Sequence, residues 1–395
     1  QKSNKGLIIF QMLLAFVLFM FSIDLLTMSM VKLNNNLAEE LFQATNNPFV
    51  GLFVGLLITA LVQSSSMVTS MIVAVVASGN LTLMQAVPLV MGANIGTTLT
   101  STLVAFSYIM KKGEFKRALT AGVVHDIFNI LTVMILFPLE IYLGFLSRSA
   151  AFITNTFFDA NTEFAGEYTY NVLFTRPLTS WLVDFLNSPI IGLILSIILV
   201  FFSIKFLSDT VFRTFISTNF EKVSRQMFKF PYVSFLYGLF FTAAVQSSTV
   251  TTSLIVPAVA NRKVSLSKVF PFIIGANLGT TITAVIASIY KTEAAISIAI
   301  VHILFNFFGA LVFLPFPGLR NIPVKLATFL GDQSVKRKFV GFAYILLTFF
   351  ITVFWSFFEQ AGSSLTLFAE RNVNLTFMNA IDKLHLDFPF KGARQ

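Results

Sequence analysis

Most of the chain alternates between long apolar runs and short polar ones. Uninterrupted apolar runs occupy about 7–31, 118–146, 189–208, 294–316 and 339–358, each long enough for a helix to cross roughly 30 Å of hydrocarbon. Two further blocks, about 49–110 and 232–290, are also apolar but are interrupted by Gly, Pro, Asn, Ser and Thr. The first run follows Lys2 and Lys5, as the core of a signal peptide would. Its length and the lack of a small-residue cleavage site predict a retained helix instead. Since the chain starts at Gln1, the native N-terminus is expected upstream. The pattern predicts an all-α, polytopic membrane protein.

Composition narrows the choice. Of 395 residues, 56% are hydrophobic and 11% charged, whereas a soluble domain carries roughly 25% charged residues. That excludes an ordinary soluble enzyme, a disordered chain and a disulfide scaffold. The formal net charge is +9, but its Lys and Arg lie in short clusters between apolar runs. Such clusters fit the cytoplasmic loops of a membrane protein, with the lipid bilayer and not nucleic acid as partner. Having no Cys removes thiolate metal sites, thiol catalysis and disulfides from consideration.

An internal duplication organises the chain. TALVQSSSMVTSMIVAVVA (59–77) aligns without a gap to TAAVQSSTVTTSLIVPAVA (242–260) at an offset of 183, Gln246 minus Gln63. The same offset carries Pro88 onto Pro271 and GANIGTT (92–98) onto GANLGTT (275–281). After six residues drop out, VHDIFN (124–129) matches VHILFN (301–306), and Pro138 falls on Pro315. Three ordered matches are more than low complexity produces by accident.

Loop charge orients the copies. Residues 111–117 (KKGEFKR) carry net +3 and their counterpart 291–293 (KTE) zero. The segment 147–188 carries net −2 and its counterpart 317–338 net +4, while 32–48 is −1 against +2 for 209–231. Basic loops stay cytoplasmic, so the two copies are expected in opposite topology, the inverted repeat of secondary transporters. The expected organisation is transmembrane repeat 1 at 1–146 and an extracytoplasmic inter-repeat loop at 147–188. Transmembrane repeat 2 follows at 189–316, with a cytoplasmic loop and terminal helix at 317–352 and an atypical tail at 353–395. Each interrupted block must then cross an odd number of times, as a re-entrant hairpin plus one crossing does.

The polar interruptions carry the candidate chemistry. Gln63-Ser64-Ser65-Ser66 and Gln246-Ser247-Ser248-Thr249 place consecutive hydroxyls at membrane depth. A regular helix would scatter them around its circumference, whereas a broken helix turns hydroxyls and free backbone N–H groups toward one cavity. Helix N-termini at the break suit an oxyanion. The GAN(I/L)GTT segments supply Asn94, Thr97, Thr98, Asn277, Thr280 and Thr281. Their glycines suggest an unwound turn whose amide, hydroxyl and carbonyl oxygens are hard ligands for a small hard cation. Neither motif holds Lys or Arg, so an anion bound there needs its charge offset by hydroxyls, dipoles and co-bound cations. Small and hydroxyl residues in membrane helices usually serve packing, but ordered duplication of both motifs favours a binding role. His125, Asn129, His302 and Asn306 are read as hydrogen-bonded core residues that support the site. Asp24 and Asp126 are candidate intramembrane carboxylates, with a position near an interface the equal alternative for each.

At these residues the sequence closely resembles the type II sodium–phosphate cotransporter family, over about 7–350. The hallmarks are a QSSS stretch in each of two inverted repeats, G(A/S)N-I/L-GT, and V/I-H-x-x-F-N. The resemblance implies sodium-driven symport of inorganic phosphate across the plasma (inner) membrane, with no cofactor beyond co-transported sodium. It further implies that Gln63, Ser64, Ser65, Ser66, Gln246, Ser247, Ser248 and Thr249 contact phosphate and sodium. Asn94, Thr97, Thr98, Asn277, Thr280 and Thr281 would complete the shell.

The chain departs from the family pattern in three places. Lys111 stands where electrogenic members carry an Asp, and 147–188 is short and lacks Cys, as in a bacterial-type member. From about Val353 the chain reads FWSFFEQAGSSLTLFAERN, which resembles a helix of proton-dependent oligopeptide transporters. There the equivalent of Glu359 belongs to the transport machinery. A chimeric or truncated product is the expectation, with no function assigned to 353–395. Other readings are transport of a different oxyanion, an intramembrane hydrolase using Ser65 and His125, and a membrane scaffold without transport. A hydrolase needs one activated hydroxyl with an oriented base, and symmetric duplication argues against it.

Overall fold

The computed structural model describes residues 5–33, 44–158, 175–211, 226–289 and 292–336, all within one unit spanning Gln1–Leu346. Every regular element among them is helical. The first half contributes α1 (Lys5–Val31), α2 (Pro48–Val62), α3 (Ser65–Ala77), α4 (Leu83–Gly96), α5 (Leu99–Phe106), α6 (Lys112–Leu143) and α7 (Phe145–Phe157). After α8 (Arg176–Leu186), the second half contributes α9 (Pro189–Val211), α10 (Pro231–Val245), α11 (Ser248–Ser253) and α12 (Ile255–Ala260). It ends with α13 (Leu266–Gly279), α14 (Thr281–Ser288), α15 (Glu293–Phe313) and α16 (Pro317–Lys336). Among the described residues, Gly6–Val31, Lys112–Leu143, Pro189–Val211, Leu266–Ser288 and Glu293–Phe313 are long and apolar enough to cross a membrane. The protein is an all-α polytopic membrane protein.

Local sequence sets the helix ends. Proline opens both α2 and α10, where its missing N–H costs nothing. Asn47 Oδ1 accepts from Phe49 N at 2.9 Å to cap α2. Thr82 and Gln85 form a capping box at the start of α4. Gly144, at φ 61°, ends α6, and Glu140 Oε2 then accepts from the N–H groups of Leu146 (2.7 Å) and Ser147 (3.2 Å) to cap α7.

Within each half, two helices approach until their backbones touch. A Cβ added at Gly55 would overlap the Leu89 carbonyl of α4, and one at Gly92 the Leu52 carbonyl of α2. The second half repeats this with Gly238 against the Phe272 carbonyl and Gly275 against the Phe235 carbonyl. The duplicated sequence therefore folds into duplicated contacts, α2 on α4 and α10 on α13.

Between the halves the packing is exchanged. The α3 helix lies against α14, and α5 against α11. The α7 helix of the first half packs on α15, while α16 of the second packs on α6. The α1–α9 crossing joins the two leading helices, with Gly192 leaving room for Ser29.

Among the described residues, three stretches expected to be loops are largely helical. Residues 112–117 form the first turns of α6, residues 147–188 hold most of α7 and all of α8, and α16 runs through most of 317–338. Their mixed composition reflects half-buried helices. The α7 helix buries Leu146, Ser147, Ala150 and Thr154, and α8 buries Thr179 and Val183 while exposing Leu178, Trp181 and Phe185. Asp24 is not a free intramembrane carboxylate. It pairs with Arg176 Nη1 at 2.8 Å and accepts from Thr179 Oγ1 at 2.6 Å, which ties α8 to α1. The helix expected at 339–358 and the tail at 353–395 lie outside the described residues.

Gly92→Ala and Gly275→Ala should each lower unfolding stability by about 1–3 kcal/mol through overpacking. Gly318→Ala, where a Cβ meets nothing within 4 Å, should be near neutral. Thermal unfolding of the purified variants in detergent checks this; unchanged melting of the first two would contradict the close approach.

Candidate functional site

Both hydroxyl motifs sit at helix breaks of the same design. Gln63 ends α2 in the left-handed region (φ 58°, ψ 28°), with its N–H bonded to Thr59 O at 2.6 Å. Ser64 is extended and its Oγ accepts from Met67 N at 3.3 Å, starting α3. Gln246 (φ 56°, ψ 24°) bonds Thr242 O at 2.6 Å, and Ser247 Oγ accepts from Val250 N at 3.3 Å to start α11. A left-handed non-glycine residue costs roughly 1–3 kcal/mol and persists only where its surroundings impose it. Finding two at matching positions marks a built feature. Serine is a preferred N-cap because its hydroxyl accepts an otherwise orphaned N–H, which explains why the break falls at Gln-Ser. The N–H groups left over at the first turn of α3 carry the positive end of the helix dipole.

The two breaks meet. Thr249 Oγ1 donates to Gln63 O at 3.2 Å across the halves, and Ser101 Oγ shares a hydrogen bond with Thr252 Oγ1 at 3.0 Å. Ser65, Ser66, Gln246 and Ser248 are buried. Ser64, Ser247 and Thr249 are half-buried, and Gln63 is exposed.

The GAN(I/L)GTT segments are not unwound. Gly92, Asn94 and Gly96 lie inside α4, and Gly275, Asn277 and Gly279 inside α13. Thr97 and Thr98 keep right-handed helical angles. The glycines serve the close approach of α4 to α2 and of α13 to α10. What the segment does is tighten: Thr98 N bonds Ile95 O at 3.3 Å, one residue short of the usual partner. That frees Asn94 O, which Asn129 Nδ2 takes at 2.7 Å. The threonine hydroxyls cap nearby carbonyls, Thr97 to Ala93 O (3.2 Å), Thr98 to Ile95 O (2.7 Å), Thr280 to Asn277 O (2.6 Å) and Thr281 to Leu278 O (2.7 Å).

Asn94 and Asn277 belong to one buried network with the four residues expected only to support the site. Asn277 Nδ2 donates to Asn129 Oδ1 and to Asn306 Oδ1, both at 2.7 Å. His125 Nε2 lies 3.1 Å from Asn277 Oδ1, and Asn306 Nδ2 reaches Asn94 Oδ1 at 3.3 Å and His302 O at 3.0 Å. Asparagines 94, 129, 277 and 306 are each 2% exposed or less. His302 sits beside this network with neither ring nitrogen hydrogen-bonded. The supporting residues are thus central, linking α4 and α6 of one half to α13 and α15 of the other. Asp126 is half-buried and accepts from Thr102 Oγ1 at 3.1 Å; the aligned positions in the second half are Ile303 and Val285.

Sequence reasoning passed over Ser101 and Thr252, which join the halves, and Thr59 and Thr242, which lie one turn before the breaks. The two threonines carried a signal: each stands four residues before the motif glutamine at the 183-residue offset. The pairing needed for a hydrolase is absent among the described residues, since the His125 Nε2 contact is with Asn277 and its Nδ1 has no partner.

Fold and site together define a helical membrane protein whose buried polar centre is assembled from two matched halves. The Na+/Pi-cotransporter family profile matches residues 18–145 and 199–330, and the chain belongs to that family, whose members are transporters and not enzymes. It is 27% identical to sodium-dependent phosphate transport protein 2B of Pongo abelii, over 89% of this chain and 66% of the relative. The corresponding figures are 27%, 84% and 62% for the Homo sapiens 2B protein, and 27%, 85% and 65% for the Ovis aries 2A protein. The chain therefore spans less than two thirds of the length of these relatives. No solved structure matches it.

Proposed function

We propose that the chain is a secondary active transporter that carries inorganic phosphate across the plasma membrane in symport with sodium. The observation that carries this reading is the meeting of the two helix breaks through Thr249 Oγ1 and Gln63 O, in motifs free of Lys and Arg. Gln63, Ser64, Ser65, Ser66, Gln246, Ser247, Ser248 and Thr249 contact the phosphate, through hydroxyls and the N–H groups at the breaks. Asn94, Asn277, Thr97, Thr98, Thr280 and Thr281 form the sodium shell. A dianion buried among neutral groups meets a steep desolvation cost, and hydroxyls with helix dipoles offset only part of it. Sodium beside the anion supplies the rest, which is the physical basis of coupling. Hydroxyls alone do not distinguish phosphate from another oxyanion; the phosphate transport named for the relatives favours phosphate.

The copies, at 1–146 and 189–316, insert with opposite topology, with 147–188 outside and 317–338 in the cytoplasm. This rests on the alternating excess of Lys and Arg and on the exchanged packing of the halves. Single cysteines, introduced into a chain that has none, should label from outside at 147–188 and from the cytoplasm at 317–338. Labelling of both from one side would contradict the inverted arrangement.

Proteoliposomes containing the purified chain should take up radiolabelled phosphate when an inward sodium gradient is imposed, and little without it. Ser65→Ala and Ser248→Ala should each weaken phosphate binding about ten-fold to a hundred-fold, as a lost buried hydrogen bond of roughly 1–3 kcal/mol implies. Wild-type uptake by both variants would sink the assignment of these serines, and loss in only one would favour a single-site chemistry.

A further inference from the structure

We infer that Thr59 and Thr242 form a further pair of sodium ligands, one at each helix break, each offering its hydroxyl oxygen to the cation. This rests on the transport reading above and adds two residues that neither motif contains. The starting point is how hydroxyls in these helices ordinarily behave. A Ser or Thr in an apolar helix bonds the carbonyl three or four residues back. Thr27 does so to Ile23 O (2.9 Å), Ser70 to Ser66 O (2.8 Å), Thr132 to Phe128 O (2.8 Å) and Thr252 to Ser248 O (2.8 Å). Thr59 and Thr242 do not. Both are 0% exposed and both hydroxyls lack any hydrogen-bond partner.

An unpartnered buried hydroxyl is costly, and here it occurs twice in the same register, Thr242 minus Thr59 being 183. Thr175, Ser208 and Thr283 also lack partners, each without a partnerless counterpart at the 183-residue offset among the described residues, and two further partnerless hydroxyls have local causes. Ser29 faces Gly192. Thr69 aligns with Thr252 but has Ala284 where Thr252 has Ser101. No such asymmetry explains a pair missing partners in both halves.

The surroundings point to a cation. Thr59 and Thr242 each supply the carbonyl that receives the N–H of the left-handed glutamine, so each lies one turn before a helix end whose last carbonyls leave the i→i−4 ladder. On the other side stands the last glycine of the GAN(I/L)GTT segment. A Cβ on Gly96 would come within 2.8 Å of Thr59 Cβ, and one on Gly279 within 2.9 Å of Thr242 Cβ. Each threonine therefore sits where the two motifs of its own half converge. Neutral hydroxyl and carbonyl oxygens, with no carboxylate among these neighbours, suit a monovalent hard cation better than a divalent one.

The test is sodium-dependent thermal stabilisation of the purified full chain in detergent, without phosphate, with choline chloride holding ionic strength constant. Thr59→Val and Thr242→Val keep the shape and remove the hydroxyl, and Thr→Ser at each position keeps the hydroxyl. The sodium concentration giving half-maximal stabilisation should rise about ten-fold in the valine variants and stay near wild type in the serine variants. Valine variants that melt normally without sodium and respond to it as wild type does would overturn the inference while leaving the transport reading standing. A wild-type chain indifferent to sodium would overturn both.

Discussion

The close backbone approach of α2 to α4, and of α10 to α13, is the constraint on which the rest of the structure depends. In a membrane the lipid tails are as apolar as leucine, so helices hold together through packing and interhelical polar contacts more than through solvent exclusion. Glycines 55 and 92 in one half, and 238 and 275 in the other, let a backbone reach the facing carbonyl. That contact fixes the register of each pair. Gly96 then falls opposite Thr59 and Gly279 opposite Thr242, one turn from the left-handed glutamines. The helix breaks are thereby placed beside the ends of α4 and α13, which brings the two motifs of each half close together.

A second requirement follows from burial. Polar groups at this depth must find partners within the protein, and the halves provide them for each other. Freed by the tightened turn, Asn94 O takes Asn129 Nδ2, and Asn277 bridges Asn129 of one half to Asn306 of the other. The duplication is faithful in backbone and looser in side chains. Ser101 and Thr252 form a cross-half hydrogen bond whose mirror image fails at Ala284. Asp126 and Thr102 form a polar pair that becomes Ile303 and Val285. Two matched halves therefore give a polar centre with unequal sides.

Much of the scaffold was legible in the sequence because duplication and hydropathy are long-range signals that survive without side-chain detail. The breaks at Gln63 and Gln246 were readable from hydroxyls that no regular helix could aim in one direction. The behaviour of GAN(I/L)GTT was not. Glycine signals either a hinge or a close approach, and only the neighbouring helix decides which. The helices α7, α8 and α16 were read as loops because hydropathy averages over both faces of a half-buried helix. His125, Asn129, His302 and Asn306 were ranked as support because their importance lies in partners 29 to 212 residues away. Thr59 and Thr242 stood inside the aligned block, yet a missing hydrogen bond cannot be seen in a sequence.

The central claim is that an anion site without basic side chains works because sodium compensates the charge. Equilibrium binding of radiolabelled phosphate to the purified chain, across a sodium titration, tests it most directly. Linkage requires each ligand to tighten the other by the same factor. Sodium should therefore lower the phosphate dissociation constant, and phosphate should lower that of sodium equally, with potassium and lithium poor substitutes. A phosphate affinity indifferent to sodium, in protein shown to be folded, would contradict the account.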